Sequence, residues 1–249
     1  SSPTKLICSI KQSALLKQKI VHIGIRFDLF IANSTYDASV CKQAKLPNLF
    51  HIIHNSLGNQ HNQDINTIKF KEQVRRPFKS FYKILVRRFL YKFFIINLYN
   101  KENLIAVSQG VKKDLLKFGI QPKTIQIIYN PFDFSYIKKQ SEAYKTDESN
   151  YIIHVGNFTL VKRYDILINA YKQSGIKQKL LLLGDHKRGA GKYAKQLVNT
   201  LNLKNQVIFK GFISNPFPYI KDAQALLLSS DQEGFGMVLV EALILNTPV

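Results

Sequence analysis

Leu226-Leu-Leu-Ser-Ser-Asp-Gln-Glu-Gly-Phe-Gly-Met-Val-Leu-Val-Glu241 is the stretch on which the reading of the chain turns. The apolar run Ala225 to Leu228 predicts a strand buried on both faces. A polar loop with glycines follows from Ser229 to Gly236, and apolar residues at helical spacing run from Met237 through Leu245. Strand, glycine-rich loop and helix together aim helix N–H groups and the helix dipole at an anion. Glu233 and Glu241 bracket that loop. Their own charge keeps them off the anion, and they suit hydroxyls on either side of it, as on a sugar-nucleotide. The same pattern also fits an ordinary strand–helix turn with two solvated glutamates.

Outward from this stretch, the residues before it repeat one unit. Tyr151-Ile-Ile-His-Val-Gly156 reads as a strand ending in Gly156-Asn157, followed by a loop with Lys162 and Arg163 and a helix over Asp165 to Gln173. Lys179 to Leu183 is a strand ending in Gly184-Asp185, and a basic helix then runs to about Leu201. Val207-Ile-Phe209 is a further strand with Lys210-Gly-Phe212 behind it, and Pro216 to Asp222 a short helix. This is half of a doubly wound sheet with its ligand loops on the C-terminal strand edge. Gly156 and Lys162 form a weak phosphate signal alone. Expected on the same sheet edge as the Glu233–Glu241 loop, they strengthen it.

The N-terminal half has the same alternation. Strands are expected over Phe27 to Ala32, Leu49 to His54, Asn103 to Ser108 and Thr124 to Tyr129, with helices over Asp37 to Ala44 and from near Gly110. Ser108 is an N-cap and Phe118-Gly119 a C-terminal stop. Alternating strands and helices imply a parallel sheet. His54, where a strand ends, faces the crevice in which such sheets bind ligands, or is a plain hydrogen-bonded loop histidine. His51, inside the strand, reads as packed. The polar stretch 138–150 is the expected linker, dividing 1–137 from 151–249.

Lys+Arg of 36 against Asp+Glu of 16 gives a formal charge of +20, which implies an anionic partner. Lys69 to Lys92 is the most basic segment, with a single acid, Glu72, and many interleaved aromatics. After Pro77, apolar residues at 78, 81, 82, 85, 86 and 89 keep helical spacing. A basic amphipathic helix with aromatics, over residues 69–94, suits an anionic membrane surface. It equally suits a helix whose aromatics pack on the core. No nucleic-acid binding motif accompanies the charge. Cys8 and Cys41 are too few for a disulfide framework, which favours a reducing, cytoplasmic setting, peripheral on the inner face of the cell membrane if the basic helix binds lipid. No run approaches the ~20 apolar residues of a membrane span, and no His/Cys spacing resembles a metal site. A start at Ser1 and a stop at Thr247-Pro-Val249, where a strand begins, read as cut ends of a longer chain.

These residues resemble retaining glycosyltransferases of the GT-B type, family four. The resemblance rests on Ile105-Ala-Val-Ser-Gln-Gly-Val-Lys-Lys-Asp-Leu115, Ile128-Tyr-Asn-Pro131, Val155-Gly-Asn with Lys162-Arg and Asp165-Ile-Leu, Leu183-Gly-Asp185, Phe209-Lys-Gly-Phe212, and Glu233-Gly-Phe-Gly with Glu241-Ala-Leu and Asn246-Thr-Pro-Val249. It implies an α/β fold of two Rossmann-like doubly wound domains, both incomplete here. The first would lie on the acceptor side and the second would bind a nucleotide-diphosphate sugar, UDP-linked. By resemblance Glu233, first of a Glu-x7-Glu pair, holds hydroxyls of the donor sugar and Glu241 the ribose. Lys162 would neutralise the diphosphate, and backbone N–H groups of Phe235, Gly236, Met237 and Val238, after Gly234, would meet it. His54 would lie near the donor sugar, and Ile213 and Ser214 against the base. Where the family has Arg after the first glycine of this domain, Asn157 stands here, and Arg163 is the expected substitute for its charge. The family's glycine-rich opening and first strands are missing, and with them much of the acceptor site. The expected acceptor is a glycolipid or a lipopolysaccharide-type saccharide. No metal or other cofactor is expected. Epimerisation or phosphorolysis on the same fold, and a non-catalytic protein that binds anionic surfaces or nucleic acid, are the rivals.

Overall fold

The computed structural model describes residues 29–46, 48–55, 89–187 and 189–249. Phe27, Cys8, His61 and the basic residues 69–88 lie outside the described residues. By its contacts the chain divides into two compact units, Ser1–Asn130 and Pro131–Val249.

The first unit is a parallel sheet. Strands β1 (Phe30–Ala32), β2 (Leu49–Ile53), β3 (Asn103–Ala106) and β4 (Thr124–Ile127) are neighbours in that order. Helix α1 (Thr35–Gln43) follows β1, helical residues 89–99 (α2) precede β3, and α3 (Gln109–Phe118) joins β3 to β4. The expected caps are in place. The Ser108 hydroxyl accepts from the Val111 N–H, and Gly119 closes α3 at φ 100°, a backbone conformation open to glycine at little cost. Leu104, Ala106, Val111, Leu115 and Ile120 are buried beneath this pair. His51 is fully buried, as its place inside β2 predicts, with its ring edge-on to Tyr99 at 5.6 Å between ring centres.

The second unit opens with α4 (Phe134–Gln140), then β5 (Tyr151–Val155), α5 (Tyr164–Ser174), β6 (Lys179–Leu183), α6 (Ala190–Thr200), β7 (Val207–Gly211), α7 (Phe217–Lys221) and α8 (Met237–Ile244). Strands β5, β6 and β7 are parallel and adjacent in that order. Their side chains are covered on both faces. Ile152, Leu180, Leu182 and Val207 pack with α5 and α6, whereas Tyr151, Ile153, Leu181 and Leu183 pack with Ile137 of α4, Ile220 of α7 and Ala242 of α8. Apolar cover on both sides is why these strands read as unbroken hydrophobic runs.

One expectation changes. The stretch Ala225 to Leu228 is not a full strand but a single parallel bridge, Leu226 to Ile153. Its burial on both faces is as expected, with Leu226 in one apolar cluster and Ala225 and Leu227 against the other. Ile153 N–H donates to the Ala225 carbonyl and Leu227 N–H to the Ile153 carbonyl. The Leu227 carbonyl, which the next rung of a ladder would use, instead accepts from His154 Nδ1 at 2.9 Å. The division between units falls at Asn130/Pro131, ahead of the polar stretch 138–150. Helix α4 belongs with the second unit because Ile137 is buried among Tyr151, Ile153 and Ile220.

Candidate functional site

The C-terminal ends of β5, β6 and β7 each carry a glycine, and the three glycines are stacked across the sheet. Gly156 N–H donates to the Leu183 carbonyl at 3.0 Å and Gly184 N–H to the Gly211 carbonyl at 2.8 Å. A Cβ on Gly184 would stand 2.0 Å from the Gly156 carbonyl oxygen, inside any tolerable contact. Absent side chains let the loops leave the sheet edge side by side. Tyr164, the first residue of α5, donates its hydroxyl back to the Gly156 carbonyl at 2.9 Å. Asn157 is exposed beside it.

Next comes a tight turn, Leu160–Lys162, that places Lys162 and Arg163 beside the loop before α8. Ser229 donates its hydroxyl to the Lys162 carbonyl at 2.7 Å, and Asp231 N–H donates to the Val161 carbonyl at 2.9 Å. The Lys162 ammonium then meets Glu233 Oε1 at 2.5 Å, with both side chains mostly covered. The stem of Lys162 runs over Gly156, where a Cβ would touch Lys162 Cε at 3.4 Å and His154 Nε2 at 3.5 Å. Arg163 sits at φ 47°, in the left-handed region that a side chain disfavours. Its guanidinium bonds both oxygens of Asp165 and also Asp231 Oδ1 at 2.8 Å. These carboxylates raise its pKa further above the usual value. The charge expected to substitute at Asn157 is therefore already shared between two acids.

Gly236 caps α8 at φ 76° and is buried, so the N-cap residue itself places no side-chain oxygen over the first turn of the helix. Such an end favours an external anion. Phe235 and Val238 are partly covered and Met237 is exposed, with Gly234 partly covered at the loop apex. Glu241 lies one turn into α8, half-buried, and desolvation raises its carboxyl above the usual range. Ile213 is partly covered and Ser214 exposed, in the loop that leaves β7. The second unit thus brings together Gly156, Lys162, Arg163 and Glu233, with the amide end of α8 on the same loop.

In the first unit, His54 follows β2 at the C-terminal sheet edge, exposed, and its Nε2 is hydrogen-bonded to Asn33 Oδ1 at 2.5 Å. Among the described residues, no group of three or more His, Cys, Asp or Glu side chains is placed to hold a metal ion, and no helix is long and apolar enough to cross a membrane.

Sequence reasoning missed His154. It is fully buried, its Nδ1 donates to the Leu227 carbonyl, and its Nε2 has no hydrogen-bond partner. Burial pushes its pKa down to about 4, so the ring is neutral and Nε2 is a bare acceptor. The signal was present: His154 is the one residue in the run Tyr151-Ile-Ile-His-Val155 whose side chain ordinarily titrates near neutral pH. Ser229 and Asp231 were also passed over, because their partners are more than sixty residues away in sequence.

Two family models match this chain. Residues 6–136 match Glycosyltransferase Family 4, and residues 136–249 match Glycosyl transferases group 1. A Campylobacter jejuni protein named N-acetylgalactosamine-N,N'-diacetylbacillosaminyl-diphospho-undecaprenol 4-alpha-N-acetylgalactosaminyltransferase is 30% identical over 205 residues, which is 82% of this chain and 54% of that protein. The lipopolysaccharide 1,6-galactosyltransferase of Escherichia coli is 30% identical over 154 residues, 58% of this chain and 41% of that protein. The chain spans about half the length of the curated relatives it matches. Among solved structures, Anabaena HepE in complex with UDP and glucose superposes with a TM-score of 0.69 at 24% identity, over 94% of this chain and 61% of that one, which supports the fold. With the parallel sheets of both units and a family model over more than half of its residues, the chain belongs to the glycosyltransferases and has the GT-B type of α/β fold.

Proposed function

We propose that the whole protein transfers a hexose-type sugar from a nucleotide-diphosphate donor, UDP-linked, to a glycolipid or lipopolysaccharide-type acceptor, with retention of configuration. The carrying observation is the meeting of Lys162 with Glu233 on the loop that leads into the glycine-capped end of α8. One positive side chain and the amide end of a helix then flank the place where a diphosphate leaving group gathers charge. No metal is needed in this reading, because those groups supply the counter-charge. Glu233 has one oxygen on Lys162 and a second one available to accept from a sugar hydroxyl. Glu241, half-buried deeper along α8, takes the ribose hydroxyls. Gly156 lets the Lys162 stem lie close against the sheet edge. His54 is the proposed catalytic group of the first unit, supported by its place at the end of β2. The Campylobacter relative's name describes a saccharide on diphospho-undecaprenol as acceptor, which supports a lipid-linked acceptor here. The chain's two cysteines support a reducing, cytoplasmic setting.

The test uses the full-length protein, measuring UDP or GDP release with and without candidate acceptors. Glu241→Ala weakens nucleotide binding by about tenfold, whereas Glu233→Ala mainly lowers turnover, by roughly a hundredfold. Activity that needs no separate sugar acceptor would favour epimerisation or phosphorolysis. If neither substitution alters donor binding or turnover, the site assignment is wrong.

The same proposal includes an anionic membrane surface as partner. Phe89, Leu90, Phe93 and Phe94 of α2 are exposed, and they continue the basic segment that starts at Lys69. Exposed aromatics beside Lys and Arg fit an interfacial helix. Reversing Arg75, Arg76, Arg87 and Arg88 to Glu should abolish sedimentation with phosphatidylserine liposomes; unchanged sedimentation rejects the membrane surface.

A further inference from the structure

We infer that the segment from Phe132 to Tyr144 is a brace that positions both donor-binding loops, with Phe132 the positioning residue for the diphosphate loop. The inference rests on the donor reading above.

At its start, Phe132 packs its ring against Phe235 with 6.0 Å between centres and a 32° tilt. Phe235 stands between Glu233 and the Gly236 cap, so its ring fixes the backbone that leads into the first amides of α8. Phe132 also packs against the buried cluster around Ile137, Tyr151 and Ile153, on which Val155, Ile213, Val238 and Leu239 pack as well. That cluster thus reaches under the strand end before Gly156, the loop after β7 and the first turn of α8.

From Phe132 the segment is capped and anchored. Asp133 caps α4 by accepting from the Tyr136 N–H at 2.8 Å, and Ile137 pins the helix into the core. At the far end, Asn215 Nδ2 donates to the Gln140 carbonyl at 2.9 Å, and the Tyr144 hydroxyl donates to the Asn215 carbonyl at 2.5 Å. Asn215 directly follows Ser214, in the loop proposed to face the base. A single capped helix therefore holds one loop by an aromatic contact and the other by hydrogen bonds. Holding a binding constellation in place with supporting contacts is what keeps its affinity high. None of these supporting groups needs to touch the donor.

The arrangement separates two effects. Phe132 governs the amides that meet phosphate, and Asn215 governs the loop that meets the base. On the full-length protein, UDP and uridine are titrated separately by calorimetry, or GDP and guanosine if the wild type selects them. Phe132→Ala raises the UDP dissociation constant about tenfold, as expected for losing an aromatic pair together with its packing. It leaves uridine within about twofold. Phe132→Leu, which keeps an apolar side chain but loses the aromatic pair, weakens UDP by about threefold and leaves uridine alone. Asn215→Ala weakens both ligands in parallel. The inference is overturned if Phe132→Ala binds UDP like the wild type, or loses uridine in the same proportion. Should Phe132→Ala fail to fold, Phe132→Leu decides, with a UDP-selective loss of about threefold supporting the brace and no loss or a parallel loss rejecting it. A wild-type protein that binds neither nucleotide rejects the donor reading itself, and the brace with it.

Discussion

The two units end their sheets differently. At the C-terminal edge of the first sheet, the candidate group is one exposed histidine, His54, hydrogen-bonded to the side chain of Asn33. At the corresponding edge of the second sheet, three strand-ending glycines stand in contact and the turn at Leu160–Lys162 is laced to the loop at Ser229–Glu233. One edge presents a side chain; the other presents backbone and a charge pair held by backbone. The lesson concerns precision. Groups proposed to meet a diphosphate are placed by main-chain proximity, which few substitutions can loosen, while a lone side chain at a strand end can be retuned by its neighbours.

The largest expected break in that contrast is Gly184→Ala. A Cβ there meets the Gly156 carbonyl at 2.0 Å on a backbone at φ 143°, so the strand ends must separate. We expect a loss of about 4 kcal/mol or more, since strain and steric overlap act together. Chemical denaturation of the full chain should show the second unit unfolding first. An unchanged midpoint would mean that the glycines are not in contact.

His154 gives the next effect. Its pKa is about 4 in the fold, against about 6.5 in an unfolded chain. Above pH 6.5 both states are neutral, and the full stability is present. As pH falls from about 6.5 to 4 the unfolded chain takes up a proton that the fold refuses, so stability falls. The decline totals about 3 kcal/mol and levels off below pH 4. Urea denaturation across this range should show it, and His154→Gln should flatten the slope. Buried His51 in the first unit is shifted in the same direction by burial, with Glu102 opposing, so some slope persists in the variant. A slope identical to that of the wild type would remove His154 from the account.

The smallest effect tests the first unit. Ser108→Ala removes the hydroxyl that accepts from Val111 N–H at 3.1 Å and should cost about 1 kcal/mol. Thermal melting that separates the units should place this loss in the first. A loss in the second would mean that the two units do not unfold independently.

Much of this was legible in the order of residues. Lys179–Leu183 needed only its apolar run, and α3 needed only Ser108, the spacing of Val111, Leu115 and Phe118, and Gly119. Glu233, Glu241, Gly156 and Lys162 could be singled out because loop glycines and bracketing carboxylates leave a local pattern. What stayed hidden was pairing at long range. Nothing in the neighbourhood of Arg163 announces that Asp231 will share it, and nothing near His154 announces the Leu227 carbonyl. Charge and polarity mark 138–150, yet Ile137 follows its buried partners into the second unit.

By itself the sequence determined the alternation of strand and helix, the two parallel sheets and the strand ends at which the candidate site residues stand. Period and capping are local properties, so a single chain displays them without reference to its fold. The tertiary structure alone decided that Lys162 answers Glu233, that a bridge at Leu226 replaces a strand, and that Phe132 stands behind the loop at Phe235. Those contacts join residues about seventy to a hundred positions apart, and a distance between such residues is defined only once the sheet has brought its strand ends together.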